Sequence, residues 1–232
     1  SAWLHELYFD SLGGDGVLPD AGLAGALARD FGSVDRWRAE FTALAKAMGG
    51  GSGWALLSWS AREARLMTHW AADHMHLLAG ATPVLALDMY EHAYHLDFGA
   101  KAAAYVDAFM QNIRWDAVAR RYGAAVEADA RPWSAPPEAV RGVTQVIDVR
   151  RAASYAQAVE RIAGALWRDP TQLDAWSREL DASRLVLVYC VHGHDVSQAV
   201  ALGLRARGLD ARFVAGGIEA CRAAGVALEA KE

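Results

Sequence analysis

Cysteine is scarce in this chain. Of 232 residues only two are cysteine, Cys190 and Cys221, both late in the sequence. That count excludes a disulfide framework and suits a reducing compartment. Proline is also sparse, at six residues, and three of these fall between Arg131 and Pro137. No apolar run approaches the length that spans a bilayer, so no membrane partner is expected. Positive charge is not in excess. With 23 Lys and Arg against 28 Asp and Glu the formal net charge is -5, which argues against a general nucleic-acid binder. The opening Ser1-Ala2-Trp3-Leu4-His5-Glu6 has neither a basic segment nor an apolar core, so it does not read as a signal peptide. It also lacks an initiator Met and starts inside a helical pattern, and the natural chain is expected to extend upstream. What is present, 53% hydrophobic and 22% charged residues, is the composition of a globular protein, expected to be soluble and cytoplasmic.

The chain reads as two parts. Helices are expected at Trp3–Phe9, from Pro19 and Asp20 to Phe31, and over Val34–Met48, with Ser33 as N-cap of the last. Trp54–Trp59 and Leu66–Trp70 read as a strand hairpin, Val84–Leu87 as a third strand, and Tyr90–Phe109 and Trp115–Tyr122 as helices. Helices, a small sheet and more helices make an α+β order. Residues 123–142, with their prolines and no apolar periodicity, read as a linker. Beyond them, strands at Gln145–Val149, Leu185–Tyr189 and Ala211–Val214 alternate with helices at Tyr155–Ile162, Asp174–Leu180, Ser197–Arg207 and the C-terminus. That alternation predicts a parallel α/β sheet.

Two stretches carry chemistry. The apolar run Pro83-Val84-Leu85-Ala86-Leu87 ends at Asp88, and His92 follows four residues later at a strand-to-helix junction. A carboxylate and an imidazole converging at the edge of a core suit a metal that accepts mixed N and O ligands. In the second half, the strand ending at Tyr189 delivers Cys190 into Val191-His192-Gly193-His194-Asp195-Val196, and Ser197 begins a helix. A thiol facing backbone N–H groups and a helix dipole is favoured as the nucleophilic thiolate.

Several blocks in order carry a resemblance. Asp88-Met89-Tyr90-Glu91-His92-Ala93-Tyr94, Trp3-Leu4-His5 with Tyr8-Phe9, Asp30-Phe31-Gly32-Ser33-Val34-Asp35 with Phe41, Gly51-Ser52-Gly53-Trp54, and Asn112-Ile113-Arg114-Trp115-Asp116 resemble the iron/manganese superoxide dismutases over residues 1–122. The resemblance implies that His5, Asp88 and His92 ligate one Fe, preferred, or Mn, and that superoxide is the substrate. It implies a further ligand histidine on a helix upstream of the first residue. It places His74 as the residue orienting bound solvent, with Ser1 at the alternative glutamine position. Glu91 is implied to bridge to a partner subunit in a homodimer. Tyr90 and His95 stand where the family has other aromatic residues. For His69, His76 and His95, surface or packing roles are expected.

Ile147-Asp148-Val149-Arg150, Ile162-Ala163-Gly164-Ala165 and Val214-Ala215-Gly216-Gly217-Ile218-Glu219-Ala220 resemble a rhodanese domain over about residues 140–230. This likeness implies that Cys190 carries sulfur between a donor and an acceptor. The loop from Cys190 to Ser197 is one residue longer than in common sulfurtransferases and holds no arginine, which disfavours a phosphatase. For Cys221 a packing role is expected. The expectation is therefore an α+β dismutase-like domain (1–122), a linker (123–142) and an α/β rhodanese-like domain (143–232), with a role in oxidative or oxyanion stress. The competing readings are a non-catalytic metal-binding or regulatory scaffold, and a sulfurtransferase whose main activity is at Cys190.

Overall fold

The computed structural model describes residues 2–19 and 21–231. Ser1, with the glutamine-position expectation, and Asp20, with the helix start placed on it, lie outside the described residues. The chain divides into two compact units, one ending at Tyr122 and one beginning at Gly123, except that Glu63–Arg65 group with the second.

In the first unit, α1 (Ala2–Asp10), α2 (Gly22–Phe31) and α3 (Val34–Ala47) precede three strands, β1 (Trp54–Ser60), β2 (Arg65–Ala71) and β3 (Ala81–Asp88). Ser33 caps α3 as expected: it is extended, and its side chain accepts from the Arg36 N–H at 3.0 Å. A cap of this kind contributes about 1 kcal/mol. The strands form a sheet in the order β2-β1-β3, with β1 antiparallel to β3. As the central strand, β1 is buried throughout, which explains its nearly unbroken apolar sequence Trp54-Ala55-Leu56-Leu57-Ser58-Trp59. The Ser58 hydroxyl meets His69 Nε2 at 2.9 Å across the sheet. Trp37 and Phe41 of α3 are fully buried beside this strand. The core thereby fixes the end of β3 at Asp88, which pairs with Trp54.

The single helix expected over Tyr90–Phe109 is three pieces: a one-turn 3-10 helix at Glu91–Ala93, α4 (His95–Phe98) and α5 (Ala102–Gln111). The breaks have local causes. Asp88 Oδ1 accepts from the Tyr90 N–H at 2.9 Å, holding Tyr90 extended (φ -72°, ψ 144°). Gly99 then takes φ +57°, a left-handed turn that ends α4. A further helix, α6 (Trp115–Ala130), runs eight residues beyond Tyr122.

The stretch expected to be a linker is therefore structured. Residues 123–130 complete α6, Ser134–Ala135 form β4, and Pro137–Val140 form a 3-10 turn. In the second unit β4 joins β5 (Gln145–Asp148), β7 (Leu166–Trp167), β8 (Val186–Tyr189) and β9 (Ala211–Val214) in a five-stranded parallel sheet, ordered β4-β9-β8-β5-β7. The expected parallel sheet is present, with two short edge strands added. The helix expected over Tyr155–Ile162 ends early: α7 spans Ala152–Gln157, and Glu160–Ile162 is β6, antiparallel to β10 (Leu228–Ala230). The pair α8 (Leu173–Trp176) and a 3-10 turn at Ser177–Glu179 replaces the helix expected at Asp174–Leu180. The helices α9 (Asp195–Ala206) and α10 (Gly217–Ala223) flank the sheet's central strands. Among the described residues no helix is long and apolar enough to cross a membrane.

Candidate metal centre and thiol loop

His5 lies midway along α1, which packs on β3; Asp88 ends β3; His92 sits on the 3-10 turn that follows. The fold brings these three together. His92 Nε2 is 3.0 Å from Asp88 Oδ2, His5 Nε2 is 3.4 Å from the same oxygen, and the two imidazole nitrogens are 3.4 Å apart. Asp88 is 1% exposed, whereas the side chain of His92 is 60% exposed, so the cluster joins a buried anion to an accessible ring.

The Asp88 carboxylate is divided in its duties. Oδ1 is used by the Tyr90 N–H, which leaves Oδ2 facing both histidines. Its main chain is held as well: the Tyr105 hydroxyl donates to the Asp88 carbonyl at 2.8 Å, and the Tyr8 and Tyr105 hydroxyls are 2.9 Å apart. Tyr105 has one proton, so with that proton on Asp88 the second bond is donated by Tyr8. Burial raises the pKa of both phenols, keeping them neutral donors.

His74, in the loop after β2, joins the group from the side. Its ring is 5.4 Å from that of His5, and its Nδ1 accepts from Trp54 Nε1 at 3.0 Å. Indole N–H only donates, so the proton of a neutral His74 sits on Nε2. Tyr90 lies flat between two imidazoles, 5.2 Å from His74 with planes 13° apart and 5.5 Å from His92 with planes 8° apart. Tyr90 thereby walls one side of the cluster. His76 and His95 are exposed, and His69 is bound to Ser58 with its pKa lowered by burial.

Three donor atoms, one from each of His5, Asp88 and His92, all lie within 4.8 Å of one another. Two imidazoles and one carboxylate oxygen at such separations fit a divalent or trivalent first-row metal. No other group of this kind occurs among the described residues. The sequence alone does not mark Tyr8, Trp54 and Tyr105 for these roles. Trp54 and Tyr8 sit within the resembling blocks, but only the fold shows that Trp54 holds His74 and Tyr8 meets the Tyr105 hydroxyl.

The second site is local. Cys190 leaves β8 and is 7% exposed; its Sγ is 3.2 Å from the hydroxyl of Ser197 on α9. Two glycines let the loop pack closely. Gly193 has φ +72°, and a Cβ there would meet the Gly216 nitrogen at 2.6 Å; Gly217 has φ +60°, and a Cβ would meet the Cys190 carbonyl at 2.4 Å. The Ile218 N–H donates to that carbonyl at 3.0 Å, and Gln198 Nε2 donates to the Gly193 carbonyl at 3.1 Å. At the rim His192 Nδ1 is 2.9 Å from Glu219 Oε2. Below the loop, Asp148 and Arg150 form a buried pair, and Asp148 Oδ2 accepts from the Tyr189 hydroxyl at 3.0 Å. Cys221 is fully buried in the core of this unit, and burial pushes its thiol up to about 11, in keeping with packing.

Residues 19–121 match the family model described as iron/manganese superoxide dismutases, C-terminal domain, and residues 137–224 match the rhodanese-like domain. The chain joins a superoxide dismutase C-terminal domain to a rhodanese-like domain. Its dismutase part is 68% identical over 123 residues to Superoxide dismutase (Fe) of Cupriavidus metallidurans, covering 53% of this chain and 62% of that protein. It is 41% identical over 128 residues to Superoxide dismutase (Mn) 1 of Halobacterium salinarum, with the same coverage of each. It is 38% identical over 128 residues to Superoxide dismutase (Fe) of Aquifex pyrophilus, covering 54% of this chain and 58% of that protein. The chain thus spans about three-fifths of the length of these curated relatives.

Proposed function

We propose that the dismutase domain disproportionates superoxide at one Fe or Mn held by His5, Asp88 and His92. The observation that carries this reading is the convergence of His5 Nε2, Asp88 Oδ2 and His92 Nε2 at the edge of the sheet. Such a metal would supply two adjacent oxidation states for one-electron exchange with superoxide. Imidazole and carboxylate donors suit both states, where a thiolate would favour other metals. Iron is preferred, supported by the 68% identity to an iron-named relative against 41% to a manganese-named one.

The chain's own residues do the rest. Asp88 supplies a buried negative charge fixed by Tyr90 and Tyr105, so the ligand oxygen pays little reorientation entropy on binding a cation. His74, held by Trp54, keeps a proton on Nε2 beside His5, and peroxide formation consumes protons. Tyr90 stacks on His92 and covers one face of its ring. Glu91 is exposed on the adjoining turn, where it supports a homodimer through this domain. The test is metal content of the full-length protein together with superoxide consumption by wild type and His92→Ala. Bound Fe or Mn without metal-dependent consumption favours the non-catalytic scaffold instead.

A second activity is proposed for the rhodanese-like domain, supported by Cys190 at the end of β8 within the matched residues. Its thiolate attacks the outer sulfur of a persulfide donor. A new S–S bond to Cys190 forms as the donor's S–S bond breaks, and the donor leaves as its thiolate with no net oxidation. An acceptor thiolate reverses the same exchange. Loss of persulfide-linked transfer in Cys190→Ser, with metal content unchanged, supports this reading; unchanged transfer ends it.

A further inference from the structure

The Cys190 loop holds one buried hydroxyl whose proton has two competing acceptors. Ser197 is fully buried at the first turn of α9. Its Oγ is 3.2 Å from Cys190 Sγ and 3.3 Å from the His194 carbonyl. A hydroxyl carries one proton and satisfies one of these at a time. The distances are unequal in quality. An O–H···O bond is best near 2.7–2.8 Å, so 3.3 Å is long, whereas 3.2 Å is short for a contact to the larger sulfur atom.

We propose that Ser197 is a positioning residue that switches its proton with the charge on Cys190. With Cys190 as a thiol, the thiol hydrogen points to Ser197 Oγ and the hydroxyl donates to His194. With Cys190 as a thiolate, the hydroxyl turns and donates to sulfur, stabilising the nucleophile. The need is physical: Cys190 is 7% exposed, which limits hydrogen bonding from water, and the loop from Val191 to Val196 contains no lysine or arginine. The hydroxyl therefore does part of the work that a cation does in other thiolate sites. Other charged groups around the loop are His192, His194 and Asp195 on the loop and helix start, Glu219 on α10, and Arg150 and Arg151 after β5. All remain when Ser197 alone is changed.

This inference deepens the sulfur-carrier reading, and its test separates the two. Thiolate formation is followed by ultraviolet absorbance as a function of pH in the full-length protein, with Cys190→Ser as the blank that removes every other group, Cys221 included. Ser197→Ala is expected to move the Cys190 transition up by about one to two pH units, the size of a lost hydrogen bond to a charged atom. Ser197→Thr, which keeps the hydroxyl, is expected to restore the wild-type transition. A transition unmoved in Ser197→Ala, or moved equally in Ser197→Thr, overturns the role, since a packing defect affects both variants. Persulfide transfer is measured on the same samples. A shifted transition with no transfer by any variant, wild type included, retains Ser197 and removes the sulfur-carrier reading.

Discussion

The two candidate sites of this chain are assembled in opposite ways. The His5–Asp88–His92 cluster draws its donors from a helix, a strand end and a turn, with His5 and His92 separated by 87 positions. The Cys190 loop is one strand–loop–helix passage, with Cys190 and its partner Ser197 separated by seven. A long-range cluster exists only when the surrounding core is formed, because the entropy of closing so long a loop is met by packing elsewhere. The local loop needs the end of β8, the start of α9 and the Gly216–Ile218 turn that closes on it. Perturbing the core of the first unit should therefore disperse the proposed metal ligands, whereas the thiol loop should respond to changes in its own residues and in the Gly216–Ile218 turn.

The sharpest way to break this contrast is Asp88→Ala. It removes the buried oxygen proposed as a ligand and the acceptor that holds the Tyr90 N–H, so metal affinity is expected to fall by at least about 100-fold. Metal titration checks this; retention of near-native affinity would show that Asp88 is no ligand. The converse change, Cys190→Ser, is expected to abolish persulfide transfer and leave metal stoichiometry and superoxide consumption as in wild type. A fall in metal content would mean that the two sites are not independent.

Smaller changes probe how Asp88 is held. Tyr105→Phe leaves the Asp88 carbonyl without its phenol donor and Tyr8 without its neighbour, at a cost of about 1–3 kcal/mol measured by denaturant unfolding. No change in stability would mean that water replaces the phenol freely. The smallest expected effect is at His69, whose pKa burial lowers. The unfolded chain then binds a proton that the folded chain refuses, so stability is full above about pH 6.5 and falls as pH drops through the lower folded value. His69→Gln, which retains a side-chain partner for Ser58, should flatten that part of the stability curve. An identical slope in both proteins would rule out His69 as its source.

What was legible in the sequence follows the same division. The strand Val84–Leu87 and the Asp88–His92 spacing stand out because a buried strand is an unbroken apolar run and the ligands follow it directly. His5 has no such local signal, and it entered only through the resemblance of ordered blocks. The apolar pattern over Tyr90–Phe109 predicts one unbroken helix because it continues past the breaks. The turn at Asp88 and the left-handed Gly99 overrule that pattern. Residues 134–135, 160–162 and 166–167 are strands too short to show any period, so a proline-rich stretch read as a linker although part of it edges a sheet. Partners such as Trp54 for His74 and Ser197 for Cys190 depend on side-chain direction, which composition and spacing do not encode.

His5, Asp88 and His92 are proposed to hold one redox metal. Elemental analysis of the full-length protein beside His92→Ala tests it most directly, because His92 is exposed and its truncation leaves the core intact. Wild type should hold Fe or Mn approaching one per chain and the variant little, with both folded to the same extent. A folded His92→Ala protein that retains the wild-type metal content would contradict the proposal.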